Sequence, residues 1–168
     1  YTGEISINML KELGCNFVII GHSERRLIFQ DDNDIINAKI KKAVSADIIP
    51  IFCIGESLEQ KKENLTNEVL KNQIIKSLPK SIDLDNIIIA YEPVWSIGTG
   101  LIPNLEEISN THKYIKKEIL GNSNTKILYG GSVKANNYKK IINQNYVDGL
   151  LVGGSSLNLD EFNQILNF

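Results

Sequence analysis

Ile87-Ile88-Ile89-Ala90-Tyr91-Glu92-Pro93-Val94-Trp95-Ser96-Ile97-Gly98-Thr99-Gly100 passes from an unbroken apolar run into an acid, a proline and a glycine-rich turn. The run Ile87 to Tyr91 is nearly continuously apolar instead of alternating, as a strand buried on both faces of a parallel sheet must be. Four other runs share that character: Phe17 to Ile20, Ile48 to Ile54, Lys126 to Tyr129, and Gly149 to Val152. Helical patterns separate them. The clearest sets Leu105, Ile108, His112, Ile115 and Ile119 on one stripe at the helix period, which gives His112 a packing role. Asn104 followed three residues later by Glu107 has the form of a capping box, and Asn158 with Glu161 repeats it before Phe162, Ile165 and Leu166. A weaker stripe of Leu65, Val69, Gln73 and Ile74 follows the second run, and Ile35, Ala38, Ile40, Ala43 and Val44 follow the first. Strand and helix therefore alternate five times, which predicts an α/β fold on a parallel sheet.

The ends of the first four runs, at His22, Glu56, Glu92 and Gly130, fall 34, 36 and 38 residues apart. Eight such units make a closed barrel of roughly 250 residues, about 80 more than this chain has. Three units are thus expected to be missing. The opening Tyr1-Thr2-Gly3-Glu4 reads as the second half of a loop leading into a helical run, Ile5 to Leu13, so the chain is expected to be truncated at its N-terminus. No linker, low-complexity stretch or long sequence repeat divides it, and residues 1 to 168 are expected to form one domain.

With 42% hydrophobic residues the chain can build a substantial core. Its net charge of −2 and isoelectric point near 5.7 supply no general attraction to nucleic acid or an anionic membrane. Any anion must be held by a local site. Cys15 and Cys53 lie in apolar runs without metal-ligand or redox spacing, which predicts two buried reduced thiols in a reducing compartment. No run has the roughly 18 to 20 apolar residues of a membrane span, and no signal segment opens the chain.

Each run ends in polar or glycine-rich residues: Gly21-His22-Ser23-Glu24-Arg25-Arg26, Cys53-Ile54-Gly55-Glu56, Tyr91 to Gly100, Tyr129-Gly130-Gly131-Ser132, and Val152-Gly153-Gly154-Ser155-Ser156. The carboxyl ends of parallel strands form the active rim of such folds, so these segments point to one composite site. Either glycine pair alone would serve as a tight turn. Two successive pairs, each followed by serine, offer close backbone approach and free N–H donors for a phosphate. Gly98-Thr99-Gly100 is not a dinucleotide fingerprint, because the third glycine is absent and the segment does not directly follow a strand.

The strings G-H-S-E-R-R, C-I-G-E, Y-E-P-V-W-x-I-G-T-G, Y-G-G-S-V and V-G-G-S-S-L resemble, in order and spacing, those of the triosephosphate isomerase family, over Tyr1 to Phe168. The resemblance implies a (β/α)8 TIM barrel of which strands four to eight and their helices are present. It implies an aldose-ketose isomerase of glycolysis and gluconeogenesis that interconverts dihydroxyacetone phosphate and glyceraldehyde 3-phosphate through an enediol. It implies no cofactor and no metal, a cytoplasmic location, and a homodimer in which Tyr1 to Glu4 is the loop tip docking into the sister subunit.

By the same resemblance Glu92 is the base and His22 the electrophile, acting as neutral imidazole at the start of a helical turn. Gly98, Ser132, Gly153 and Gly154 would hold the phosphate. Ser23, Glu24 and Arg25 would support the site, and Glu56 with Trp95 would latch the lid when it is open. Val94, Trp95 and Ile97 would be the apolar flap that desolvates Glu92. The chain departs from the family pattern where Asp31 replaces Glu, leaving its pairing with Arg25 short by one methylene. Ser96 replaces alanine, while Leu101 and Pro103 replace the lysine and small residue of the far hinge, so Pro103 offers no N–H to Tyr129. The strand-one asparagine and substrate-binding lysine are absent. A noncatalytic phosphate-binding barrel fragment is the alternative, and a phosphate-binding barrel enzyme of amino-acid biosynthesis is disfavoured by His22, Glu92 and the Trp95 lid.

Overall fold

A computed structural model describes residues 2–121 and 123–167. Its elements run α1 (Ile7–Glu12), β1 (Phe17–Ile20), α2 (Ser23–Leu27), α3 (Asn33–Ser45), β2 (Ile49–Ile54), α4 (Leu58–Lys62), α5 (Thr66–Ser77), β3 (Ile88–Tyr91), α6 (Leu105–Tyr114), β4 (Lys126–Tyr129), α7 (Tyr138–Ile142), β5 (Gly149–Leu150) and α8 (Leu159–Leu166). The strands form one parallel sheet in chain order. Their starts and ends follow the sequence reading closely, except that β5 stops at Leu150. Leu151 still donates its N–H to Tyr129 O at 2.9 Å, so one ladder bond continues beyond the strand.

A continuous core joins the inward faces of the strands to Ile36 and Ile40 of α3, Leu70 and Ile74 of α5, Ile108 of α6, Ile141 of α7 and Ile165 of α8. Two helical stripes are thereby corrected. In α3 the buried face is Ile36, Ile40 and Ala43, while Ile35 and Ala38 are exposed. In α5 Leu70 replaces Leu65 and Val69 as the buried anchor. Adjacent apolar residues allow either register of the stripe, and contact with the sheet selects one. α1 is shorter than the expected Ile5 to Leu13 and buries none of its residues. Cys53 is buried as expected, but Cys15 is only half-buried, since it sits in the turn before β1 and not within a strand.

The predicted capping box at Asn104 and Glu107 forms in both directions. At Asn158 only half of the motif forms: its side chain accepts the Glu161 N–H at 3.0 Å. After α6 the chain continues as a π-turn, Ile115–Ile119, closed by a bond from Leu120 N–H to Ile115 O at 3.0 Å. The extra residue in that turn brings Leu120 into the core and leaves Ile119 at its edge.

His112 packs as the stripe predicts. It is fully buried, its ring meets Tyr91 edge-on at 5.8 Å, and Nδ1 lies 3.1 Å from Tyr146 O. A carbonyl only accepts, so Nδ1 carries the proton. Nε2 has no partner among the described residues. Burial pushes the His112 pKa from 6.5 down to about 4. The unfolded chain therefore binds more protons between those values, and stability is full above pH 6.5 and lost as pH falls toward 4. The expected loss is about 3 kcal/mol at most. Denaturant unfolding of wild type and His112→Leu across this range checks it: the wild-type curve should fall more steeply, whereas parallel curves would remove His112 as the cause.

Candidate active site

The sheet ladder does not stop at the last residue of β3. Glu92 N–H donates to Ile54 O at 2.7 Å, and Gly130 N–H donates to Tyr91 O at 2.8 Å. Glu92 is therefore held on the carboxyl rim by the same bonds that hold the strands. Its neighbours must be glycines: a Cβ on Gly55 would lie 1.7 Å from Glu92 O, and one on Gly130 would lie 2.8 Å from Glu92 Cγ. The carboxylate is tucked into the space these residues leave and is 3% exposed.

His22 reaches Glu92 from the adjacent strand end. It is the N-cap of α2, and its Nδ1 accepts the Glu24 N–H at 3.2 Å. A nitrogen that accepts cannot also bear the proton, so the bond selects the neutral tautomer with hydrogen on Nε2. Nε2 lies 3.5 Å from Glu92 Oε1. The sequence reading placed His22 at a helical turn; the structure adds that Glu24 serves through its backbone, with its side chain exposed. Ser23 is buried beside the pair.

Burial raises the pKa of Glu92 above the ordinary carboxylate range, opposed by His22, the Cys53 thiol and the Ser23 N–H. Desolvation thus strengthens Glu92 as a base. Glu92 is already buried while the Trp95 indole points elsewhere. Trp95 Nε1 donates to Glu56 Oε1 at 2.9 Å, and Tyr91 OH donates to the same oxygen at 3.2 Å. Lys61 Nζ sits 4.3 Å from the indole centroid. Of the flap residues, only Ile97 lines the space next to Glu92.

That space is a cavity of about 370 Å³ which brings together His22, Glu92, Gly98, Ser132, Gly153 and Gly154. Its two glycine turns are tied by Ser155 Oγ, which donates to Val133 O at 2.9 Å. The remaining sequence-derived residues, Ser23, Glu24, Glu56, Trp95 and Tyr129, do not line it. Arg25 pairs with Asp31 despite the shorter side chain, through Nε at 3.2 Å and Nη2 at 3.3 Å, and Nη2 also holds Glu4 at 3.0 Å. The sequence reading missed two contributors. Cys53 is in sequence only a buried thiol, but the parallel order places it one strand over from Glu92, opposite Ala90 in register. Arg26, whose Nε donates to Gly21 O at 2.9 Å, steadies the turn before His22; nothing in the sequence separated it from Arg25.

A parallel βα sheet with a buried carboxylate against a tautomer-fixed histidine on its carboxyl rim defines a barrel-type protein equipped for acid–base chemistry. A family model described as triosephosphate isomerase matches residues 1–168. The triosephosphate isomerase of Alkaliphilus oremlandii is 46% identical over 177 residues, spanning 100% of this chain and 71% of that protein. That of Mycoplasma mobile is 48% identical, spanning 96% of this chain and 66% of that one. The crystal structure of triosephosphate isomerase from Bartonella henselae superposes with a TM-score of 0.90 at 39% identity, over 99% of this chain and 69% of its own. The chain belongs to the triosephosphate isomerase family.

Gly130→Ala is expected to keep the fold but push Glu92 off its mark, since the new Cβ meets its Cγ at 2.8 Å. A misplacement of about 1 Å costs on the order of 100-fold in rate. Isomerase kinetics with circular dichroism on the barrel carrying all eight units is the check; full activity would mean that the carboxylate position is not set by this contact.

Proposed function

We propose that this chain carries the acid–base pair and phosphate cradle of a triosephosphate isomerase, comprising units four to eight of its barrel. The reaction of the family interconverts dihydroxyacetone phosphate and glyceraldehyde 3-phosphate. Glu92 removes the proton from the carbon beside the carbonyl and returns it to the neighbouring carbon. His22, with its proton on Nε2, polarises the carbonyl and moves protons between the enediol oxygens. The observation that carries this reading is the 3.5 Å approach of His22 Nε2 to a buried Glu92, with Nδ1 already engaged by Glu24 N–H. Backbone N–H groups at Gly98, Ser132, Gly153 and Gly154 receive the phosphate. The contact between Trp95 and Glu56 corresponds to the open lid.

Several wider expectations join this reading. Residues 1 to 168 act as one domain, supported by one sheet and one core cluster. The full-length protein is a homodimer. Of its proposed docking loop, Tyr1 lies outside the described residues, and Glu4 is anchored by Arg25. The location is the cytoplasm, a reading supported by two free thiols; no described helix is long and apolar enough to cross a membrane. The chain alone is inactive and prone to aggregate. Phe17 and Ile19 of the edge strand β1 are 54% and 49% exposed, and an unpaired edge of this kind invites association. The oxyanion also lacks the cation that the family carries on its first strand.

In the barrel with all eight units, Glu92→Gln should cut turnover by orders of magnitude while leaving binding of a nonreacting phosphate analogue nearly intact. A loss confined to affinity would overturn the assignment of the base. A coupled assay for glyceraldehyde 3-phosphate should find no turnover by residues 1 to 168 alone and recovery when the N-terminal units are supplied. Turnover by the chain alone would show that the first strand is dispensable.

A further inference from the structure

Ser96 stands at the near end of the lid and is completely buried. Its hydroxyl touches three groups: Leu101 O at 2.5 Å, Ser132 N at 3.1 Å and Tyr129 OH at 3.5 Å. A serine hydroxyl has one proton and two lone pairs. Leu101 O can only accept, so it takes that proton; Ser132 N–H can only donate, so it occupies one lone pair. Tyr129 OH must then be the donor to the other. The hydroxyl is saturated, and it closes the lid into a loop by joining Ser96 to Leu101. Thr99 stiffens the interior, accepting the Leu101 N–H at 3.1 Å and donating to Trp95 O at 3.0 Å. Gly131 leaves room for the arrangement, because a Cβ there would meet Tyr129 Oη at 2.3 Å and Ser96 Oγ at 2.9 Å.

Ser96 Oγ supplies an acceptor for the proton of the buried Tyr129 hydroxyl. The same oxygen also claims the backbone N–H of Ser132, a group the proposed function assigns to phosphate. One N–H cannot serve both at full strength.

We propose that Ser96 is a positioning residue that couples the lid to the phosphate site: in the substrate-free state its hydroxyl holds the Ser132 N–H, and phosphate must displace it. The proposal rests on the phosphate reading of Ser132. When phosphate takes the N–H, Ser96 keeps Tyr129 but loses its tie to Ser132, so arrival of the ligand loosens the base of the lid. The hydroxyl thereby weakens ligand binding and favours the open lid, which also favours product release.

The test uses the isomerase with its N-terminal units present and glycerol 3-phosphate as the nonreacting probe, with affinity from calorimetry and lid position from the fluorescence of Trp95. Trp95 is the only tryptophan among the 168 residues, and tryptophans elsewhere in the full-length protein are replaced by phenylalanine. Ser96→Ala should lower the dissociation constant about threefold to tenfold, the size of one released hydrogen bond. KM should fall in step, kcat should not rise, and the fluorescence change should be complete at lower probe concentration. A lower melting temperature with affinity and KM unchanged would reduce Ser96 to a packing residue and overturn the proposal, as would weaker binding. Ser132→Asp separates this from failure of the underlying reading. If it weakens the probe well over tenfold in both backgrounds while Ser96→Ala has no effect, the phosphate site stands and only the coupling falls. If it changes neither, the phosphate lies elsewhere and the proposal falls with it.

Discussion

The ladder bonds from Glu92 N–H to Ile54 O and from Gly130 N–H to Tyr91 O carry the sheet one residue past β3 and β4 on the rim. Parallel pairing sends every strand out at the same end, so the first residues beyond the ladder converge in space however far apart they lie in sequence. Because Glu92 is still inside the ladder, the reactive carboxylate inherits the rigidity of the sheet. His22, two residues past the end of β1, inherits its place from Gly21 and from the short helix it caps. Moving either would break hydrogen bonds on the rim of the sheet.

Two buried carboxylates on this rim illustrate how surroundings divide labour. Burial is the leading cause of a raised pKa for both Glu56 and Glu92. Glu56 spends one oxygen on the Trp95 indole and Tyr91 hydroxyl, while its other oxygen has no partner among the described residues. A carboxylate so engaged serves as an anchor. Glu92 instead faces a cavity and a neutral imidazole, which leaves its basicity available to a substrate. The difference arises from what each acid meets after leaving its strand, not from the strands themselves.

Charge pairing on the outside has a different part. Asp31, almost fully buried, receives Arg25 and Lys39, and these partners hold its carboxyl below the usual range although burial alone would raise it. The pairing fixes the loop between α2 and α3, and through α2 the orientation of the Glu24 N–H that His22 Nδ1 accepts. A carboxyl one methylene shorter than the family pattern is accommodated by the loop, with the guanidinium still making both contacts.

The amino-acid sequence by itself determined the alternation of five buried strands with helices, the strand ends as the reactive rim, and, through motifs of a known family, His22, Glu92 and the glycine turns. Those properties are local: apolar runs, caps and short strings are written in consecutive residues. Which side of α3 and α5 faces the sheet was decided only by tertiary packing, since Ile35 and Ile36, or Val69 and Leu70, are equally apolar neighbours. The π-turn after α6 was equally hidden, because it is the core that draws Leu120 inward. The close fit around Glu92 depends on Gly55 and Gly130 approaching from two other strand ends. Ser96 shows the limit most clearly. As a letter it is a small polar residue in place of alanine, and only folding sets its one hydroxyl between Leu101, Tyr129 and Ser132, groups up to 36 residues away in the chain. Hydrogen-bond capacity belongs to the side chain, but its partners belong to the fold.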